Sequence, residues 1–391
     1  MKECDLGDIF RSYFSQYEQQ YGPLPKYYYD AANSIMQCRT EALGGHIYRC
    51  DDCSHDITLY NSCRNRHCPK CQAIARSQWV DQKMGEALPL HYFHVVFTIP
   101  HQLNSIALHN KKAFYQLMFK AVSETLITLG REAKYLGGQI GCLSILHTWG
   151  QNLMDHPHIH CIIPAGALNN KENTWIKGKN DFLFPITVMQ KLFRGKCMDF
   201  FLKAVEEGAI KPLYINSPNA PSFEALEDLL YAKKWVVYVK ESFKSPKNLL
   251  KYIARYTHGI AISNQRILKV ENGIVTFAYK AYADNGKRKT MSIKAVEFIR
   301  RLMLHILPKG FMRIRQYGFL SNKVKKNKLN LIRKLLKDTG EIINTSNDTS
   351  KWKENTVVQS IFECPACKKG TLRKYREITA KKSVQKMMVN H

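Results

Sequence analysis

Apolar positions recur along this chain with two different periods, and the switches between them mark out its elements. From 5 to 40, Phe10, Phe14, Tyr17 and Tyr21 stand three to four residues apart, which predicts a helical lead-in that breaks at Pro23 and Pro25 and resumes over Ala31 to Cys38. His91 to Ile99 alternates as a strand and stops at Pro100, and Ser105 to Glu132 then carries Phe114, Leu117, Ala121, Leu126 and Leu129 at helical spacing. Gln139 to Gly150 and Pro157 to Pro164 read as two further strands, and Trp235 to Lys240 as another, after an inserted stretch from 169 to about 232 with helical patterns at 187–206 and 223–232. Ser245-Pro246 opens a helix that should end near Gly259, because proline is favoured in a first helical turn.

Strand, helix, strand, strand is the opening of a ferredoxin-like antiparallel sheet, so the expected class is α+β with helices on one face of that sheet. Beyond it, Asn272-Gly273 marks a hairpin between Ile262 to Val270 and Gly273 to Tyr282, and Lys294 to Leu307 is amphipathic. Residues 338–358 read as a polar linker. The pattern therefore divides the chain into 1–90, helical and zinc-ribbon-like; 91–320, a catalytic sheet domain; and 321–391, a basic helix, linker and tail.

Composition sharpens this picture. The 391 residues are 45% hydrophobic, and 59 Lys plus Arg against 32 acids give a formal net charge of +27. An excess of that size implies a polyanionic partner, nucleic acid first. The chain has no apolar run of membrane-spanning length and no apolar signal core after Met1, so a cytoplasmic protein with no membrane partner is expected.

Of the 12 cysteines, six lie between 38 and 71. In a reducing compartment such crowding argues for metal rather than disulfides. Cys50-Asp51-Asp52-Cys53 and Cys68-Pro69-Lys70-Cys71 are two Cys-x-x-Cys knuckles that can close one tetrahedral Zn2+ site. Cys38, His46, Cys63 and His67 remain as a candidate second set. Arg64 and Arg66 decorate these loops and suit contact with DNA. Cys364 and Cys367 form half a zinc site, with no second knuckle nearby in the sequence.

The chemistry concentrates in His158-Ile159-His160. Alternation along a strand turns both imidazoles to one face, where they can grip a divalent ion, Mg2+ or Mn2+. Two imidazoles rarely complete such a site; Gln151 is the first candidate for a third ligand and Asp155 the second. Tyr252 and Tyr256, four apart in Tyr252-Ile253-Ala254-Arg255-Tyr256, share one helix face. A phenol attacking a metal-bound phosphodiester gives a covalent 5′-phosphotyrosine and a free 3′-OH, with Arg255 beside it to favour the phenolate. Further on, Arg313 and Arg315 interleave with Tyr317 and Phe319, a composition suited to single-stranded DNA. Nothing here calls for a small-molecule substrate.

The stretch Cys38 to His46, the run Tyr60 to Cys71, His158-Ile159-His160, and Tyr252 to Tyr256 followed by Ile262-Ser263 together resemble the rolling-circle transposases of the insertion sequence 91 family, over nearly the whole chain to about residue 320. The resemblance implies a His-hydrophobe-His single-strand endonuclease of the two-tyrosine kind, acting on the ends of its own mobile element and on target DNA. A plasmid relaxase or replication initiator would use the same histidines and tyrosine, and a zinc-dependent DNA-binding protein without enzymatic activity would account for the charge and cysteines alone. The sequence contains no phosphate-binding Gly-x-x-x-x-Gly-Lys-Ser/Thr loop, so unwinding is expected from a host helicase or replication machinery.

Overall fold

A computed structural model describes residues 4–179, 181–211, 222–243, 261–281, 284–338 and 362–380. The predicted helix with Tyr252, Arg255 and Tyr256, and nearly all of the predicted linker, lie outside the described residues. The chain forms two compact units, each assembled from separated segments. One gathers Met1–Ala75, Ile262–Met303 and Thr345–His391; the other gathers Arg76–Ala261 and Leu304–Asn344. The three consecutive domains expected from the sequence are therefore replaced by two interleaved ones, because strands far apart in sequence pair with each other. Among the described residues no helix is long and apolar enough to cross a membrane.

The first unit opens with helices α1 (Leu6–Tyr21) and α2 (Lys26–Gln37). Asp5 caps α1 in a reciprocal box with Asp8, which satisfies backbone N–H groups at the helix start. The apolar stripe Leu6, Ile9, Phe10, Phe14 and Tyr17 is buried, and Phe14 meets Tyr29 of α2 edge to face at 6.2 Å. Strands β1 (Gly45–Cys50) and β2 (Asp56–Tyr60) form a hairpin. Its third strand is β13 (Leu372–Ile378), which pairs antiparallel with β1 from the far end of the chain. A second meander, β9 (Ile267–Glu271), β10 (Ile274–Ala281) and β11 (Lys287–Lys294), turns at Asn272-Gly273 as the sequence predicts, with both residues at positive φ. The helix Ala295–Leu304 packs Phe298 on Phe277.

The second unit is built on a five-stranded antiparallel sheet in the order β12-β4-β5-β3-β8. Its strands are β3 (Tyr92–Thr98), β4 (Gly141–Trp149), β5 (Asp155–Pro164), β8 (Val236–Phe243) and β12 (Ile314–Gly318). Alternation sorts their side chains into two faces. Phe93, Val95, Phe97, Leu146, Ile159, Cys161 and Ile163 point to one side, where α5 (Lys111–Arg131) and α6 (Ile186–Glu206) cover them. The predicted long helix over 105–132 is divided at Asn110, whose φ of −117° and ψ of 36° separate a short helix, Asn104–His109, from α5.

The opposite face carries Tyr92, Leu143, Ile145 and Ile162, which pack on Leu329, Ile332 and Leu336 of the helix Lys325–Asp338. Helices thus flank both sheet faces rather than the one expected, because the apolar stripe of this cationic helix needs a partner as much as its lysines need water. That cover ends short of the other end of the face, where β4 and β5 present histidines.

Glycines give a direct test of this packing. Gly318 ends β12 at φ +62°, and a Cβ there would sit 1.7 Å from the Ile140 carbonyl oxygen, whereas a Cβ on Gly195, within α6, meets nothing within 4 Å. Gly318→Ala should destabilise the second unit by more than about 1 kcal/mol, and Gly195→Ala should stabilise it by about 0.5–1 kcal/mol. Denaturant midpoints of the two variants check both signs.

Candidate metal centres and catalytic face

Two sets of four thiols converge in the first unit. Cys38, Cys63, Cys68 and Cys71 form one set, and Cys50, Cys53, Cys364 and Cys367 the other, with sulfurs within 4.8 Å of one another in each. Closest approaches are 3.5 Å for Cys38–Cys71, 3.6 Å for Cys63–Cys71, 3.7 Å for Cys50–Cys367 and 3.6 Å for Cys53–Cys364. A tetrahedron of sulfurs about 2.3 Å from Zn2+ has edges of about 3.8 Å, so both donor sets fit zinc. All the cysteines are free thiols.

This grouping corrects the ligand set expected from sequence spacing. Cys50 and Cys53 do not join Cys68 and Cys71, because the β1–β2 hairpin intervenes. Cys50 and Cys53 lie at its tip, and five strand residues at about 3.3 Å each hold that tip roughly 17 Å from the end where Cys63 and Cys68 follow. His46 and His67 belong to neither set: His46 lies within β1, and His67 takes its Nε2 to Arg66 Nε at 3.3 Å. Cys38 caps the end of α2, and Cys71 lies in the first turn of α3 (Pro69–Glu86), so the first set ties two helices to the loop carrying Cys63. On that loop Arg64 is exposed at φ 53°, while burial lowers the pKa of Arg66.

In the second unit three imidazoles converge, those of His147, His158 and His160, with ligand nitrogens within 4.8 Å of one another. The register explains the meeting. His147 on β4 lies directly opposite His158 on β5, and His160 follows on the same face of β5. Ring centroids stand 5.3 Å apart for His147–His158, 4.5 Å for His147–His160 and 4.8 Å for His158–His160. His147 is the site residue that sequence reasoning missed. Its signal was only partial: a hairpin turning between Trp149 and Asp155 brings 147 close to 158, and a register shift between His147 and Trp149 sets it directly opposite.

Neighbouring groups orient these rings. His158 Nδ1 donates to the His156 carbonyl at 2.6 Å, which leaves Nε2 as the ligand atom. His160 Nδ1 lies 2.8 Å from Nε2 of His94 on β3, an outer partner that also went unforeseen. Trp149 stacks on His147 at 4.7 Å, and His305 approaches the edge of Trp149 at 5.9 Å. His305 also spans the hairpin turn, Nδ1 taking the Thr148 hydroxyl at 3.2 Å and Nε2 donating to the Leu153 carbonyl at 3.0 Å. Burial pushes His158 down to about 4 and His160 well below its ordinary value, so the rings are neutral, as ligation requires.

Gln151 lies half-buried in the turn beyond Trp149, and Asp155 stands outside the imidazole trio. Asp155 is instead a carboxylate that accepts no hydrogen bond from the described residues, pushed up to about 7 by burial, while the charge of Lys111 pulls the other way. Lys111 itself donates to the carbonyls of Leu304 and Ile306 at 2.7 and 2.9 Å.

An open groove of about 770 Å³ runs along the β12 edge. Lys83, Lys112, Lys309 and Arg315 line it with Trp79 and Tyr317 and with the amides of Gln82, Gln116 and Gln316, and its lining includes no acid. Arg315 lies 4.3 Å over the Phe119 ring. Arg313 does not reach this surface; it is 9% exposed, a correction to its expected place at a DNA interface, because the residue directly before β12 turns inward while its carbonyl holds Leu146 N–H.

Comparison with known proteins agrees with this architecture. A family model described as a putative transposase matches residues 141–328, and one described as a transposase zinc-binding domain matches residues 9–99. A putative transposase of Sinorhizobium fredii is 40% identical over 378 residues, covering 94% of each chain. The transposase for insertion sequence element IS801 of Pseudomonas savastanoi pv. phaseolicola is 25% identical over 299 residues, 75% of this chain and 70% of that one. No solved structure matches. With a zinc-binding module at its amino end and a transposase domain carrying the histidine face, the chain belongs to the insertion sequence 91 family of transposases.

Proposed function

We propose that this transposase nicks and rejoins single-stranded DNA at the ends of its own element by rolling-circle chemistry, through a covalent 5′-phosphotyrosine. The observation that carries the reading is the convergence of His147, His158 and His160 on one sheet face, in a chain whose sequence sets two tyrosines four residues apart downstream. His147 is the third ligand in this proposal, in preference to Gln151. A divalent ion held there supplies Lewis-acid polarisation of the scissile phosphate.

The chain's own residues do the rest. The phenol oxygen of Tyr252 or Tyr256 bonds to phosphorus as the phosphorus–O3′ bond breaks, the phenol proton is lost to solvent, and the departing 3′ oxygen takes up a proton. The phosphodiester energy is retained in the Tyr–O–P bond, so a 3′-OH can reverse the step without a nucleotide cofactor. Two phenols allow one DNA end to remain attached while a second strand is cut. His94 orients the His160 ring and His305 ties the turn between β4 and β5, and Lys112, Lys309 and Arg315 offer phosphate contacts beside aromatic and amide side chains that suit unpaired bases. Strand separation falls to a host helicase or replication machinery in this scheme.

Three imidazole nitrogens are a better match for Mn2+ than for Mg2+, which prefers oxygen. Nicking of an oligonucleotide from the element's end should therefore reach half-maximum at a lower concentration of Mn2+ than of Mg2+. His147→Ala, His158→Ala or His160→Ala should abolish it with zinc content unchanged; full activity of His147→Ala would remove that residue from the site. His94→Ala should raise the metal concentration required by about 10- to 100-fold while leaving the rate at saturating metal nearly intact.

The Tyr252→Phe, Tyr256→Phe double variant should bind DNA but form no covalent adduct on a denaturing gel, and free 5′-phosphate ends from the parent protein would exclude the tyrosine route. Changing Lys112, Lys309 and Arg315 together to Ala should weaken single-strand binding and flatten its dependence on salt by about two in the log–log slope.

A further inference from the structure

Cys50 and Cys367 are 317 residues apart in the chain, yet their sulfurs lie at 3.7 Å. We propose that Cys50, Cys53, Cys364 and Cys367 form a second zinc site that clasps the C-terminal segment onto the amino-terminal hairpin, so that β13 is held in its sheet by metal rather than by an apolar core. The inference concerns the first unit alone and stands whether or not the tyrosine chemistry does.

The two knuckles are built alike. Each Cys-x-x-Cys is followed by a residue in the left-handed region, Ser54 at φ 57° and Lys368 at φ 55°. Each turn is closed by the following N–H on the carbonyl of its first cysteine, Ser54 to Cys50 at 3.2 Å and Lys368 to Cys364 at 2.8 Å. Backbone N–H groups also point at the sulfurs: Asp52 N lies 3.4 Å from Cys50 Sγ, and Gly370 N lies 3.3 Å from Cys367 Sγ. Such donors favour the thiolate form, the ligand zinc requires. Gly370 passes so close that a Cβ would stand 2.4 Å from Cys50 Sγ, and a Cβ on Gly44 would stand 2.4 Å from the Ile378 carbonyl oxygen. Two glycines, Gly44 just before β1 and Gly370 just before β13, are thus fitted to this docking.

Among the described residues, apolar packing adds little to the strand pairing that holds the segment. The buried apolar residues at this junction are Cys50, Cys364 and Leu372, with Tyr48, Ile57 and Cys367 packed around them, so two of the three are themselves proposed ligands. Beyond the backbone ladder of β13 on β1 and the bond from Asp51 N to the Thr371 carbonyl, the side-chain bonds among the described residues, from Thr371 N and Arg373 to Asp51, are exposed. β13 is an edge strand, and a single edge pairing without a core beneath it is marginal in water. A metal cross-link supplies what the core lacks, as in small zinc modules that fold only with their ion.

The two thiolate sets also differ in access. In the clasp Cys53 is exposed and Cys367 half-buried, with Cys50 and Cys364 buried, whereas the other set has no exposed thiol: Cys63 is half-buried and Cys38, Cys68 and Cys71 are buried. The clasp is therefore the site that gives up its ion first. Its loss removes from the sheet a strand carrying Arg373, Lys374, Tyr375 and Arg376, with the Tyr375 ring under the Arg49 guanidinium at 3.7 Å.

The test uses the full-length protein. Metal analysis should find two zinc ions per chain, and the Cys364→Ser, Cys367→Ser double variant should keep one. In that variant hydrogen exchange at the β13 amides should accelerate at least about tenfold while α1 and α2 keep their protection. Cys63→Ser should also lose one ion but leave β13 protected. In the parent protein, chelator withdrawing the first equivalent of zinc should deprotect β13, and added zinc should restore it. One zinc per chain in the parent, two in the double variant, or β13 protection indifferent to the first zinc removed would each overturn the proposal.

Discussion

The antiparallel pairing of β4 with β5 is the constraint on which the histidine face depends. With His147 opposite His158, the pairing turns Ile159 and Cys161 into the core under α5 and α6 and leaves three imidazoles together on the other side. A slip of one residue would exchange the two sets, burying histidines among phenylalanines and exposing isoleucines. The apolar face thus enforces the geometry of the polar one. His305 and Thr148 tie the turn, and His94 holds His160, so the ligand rings are oriented by protein contacts. A transposase gains from a site formed in this way, since the reorganisation has already been made in folding.

The first unit solves a different problem. Its hairpin β1–β2 is short, and the junction with β13 buries few apolar side chains, so sulfur clusters stand where a core would. One set joins α2, a loop and α3 within a short stretch; the other reaches across the whole length of the chain. The units are interleaved for the same reason: a segment goes where its strand partner and its ligands are, and chain order does not enter into that choice.

Charge follows the same division. The excess of lysine and arginine noted in the sequence is not spread evenly over sites of interest. Arg313 is buried, Arg49 and Arg373 are paired with Asp56 and Asp51, and of the cations that line the groove along β12 Lys83 is paired with Glu86, while Lys112, Lys309 and Arg315 have no acid among the described lining residues. Net charge points to a polyanion, but only the local balance says where it can lie.

What the sequence by itself determined is considerable. Alternation and helical spacing located β3, β4, β5, α6 and the helix Phe223–Ala232 to within a few residues, and the motifs brought out the transposase family, the zinc module and the His158, His160 pair, because each of these is a local pattern. What only the tertiary structure decided are the partners of those patterns. His147 and His94 enter through strand register, Cys364 and Cys367 find Cys50 and Cys53 across the chain, and β13 joins a sheet begun more than 300 residues earlier. Two Cys-x-x-Cys knuckles close in sequence were a plausible pair until the hairpin between them set their distance. Ligand chemistry is written in residue type, but which ligands meet is set by backbone pairing and burial, and these depend on contacts that no local window contains.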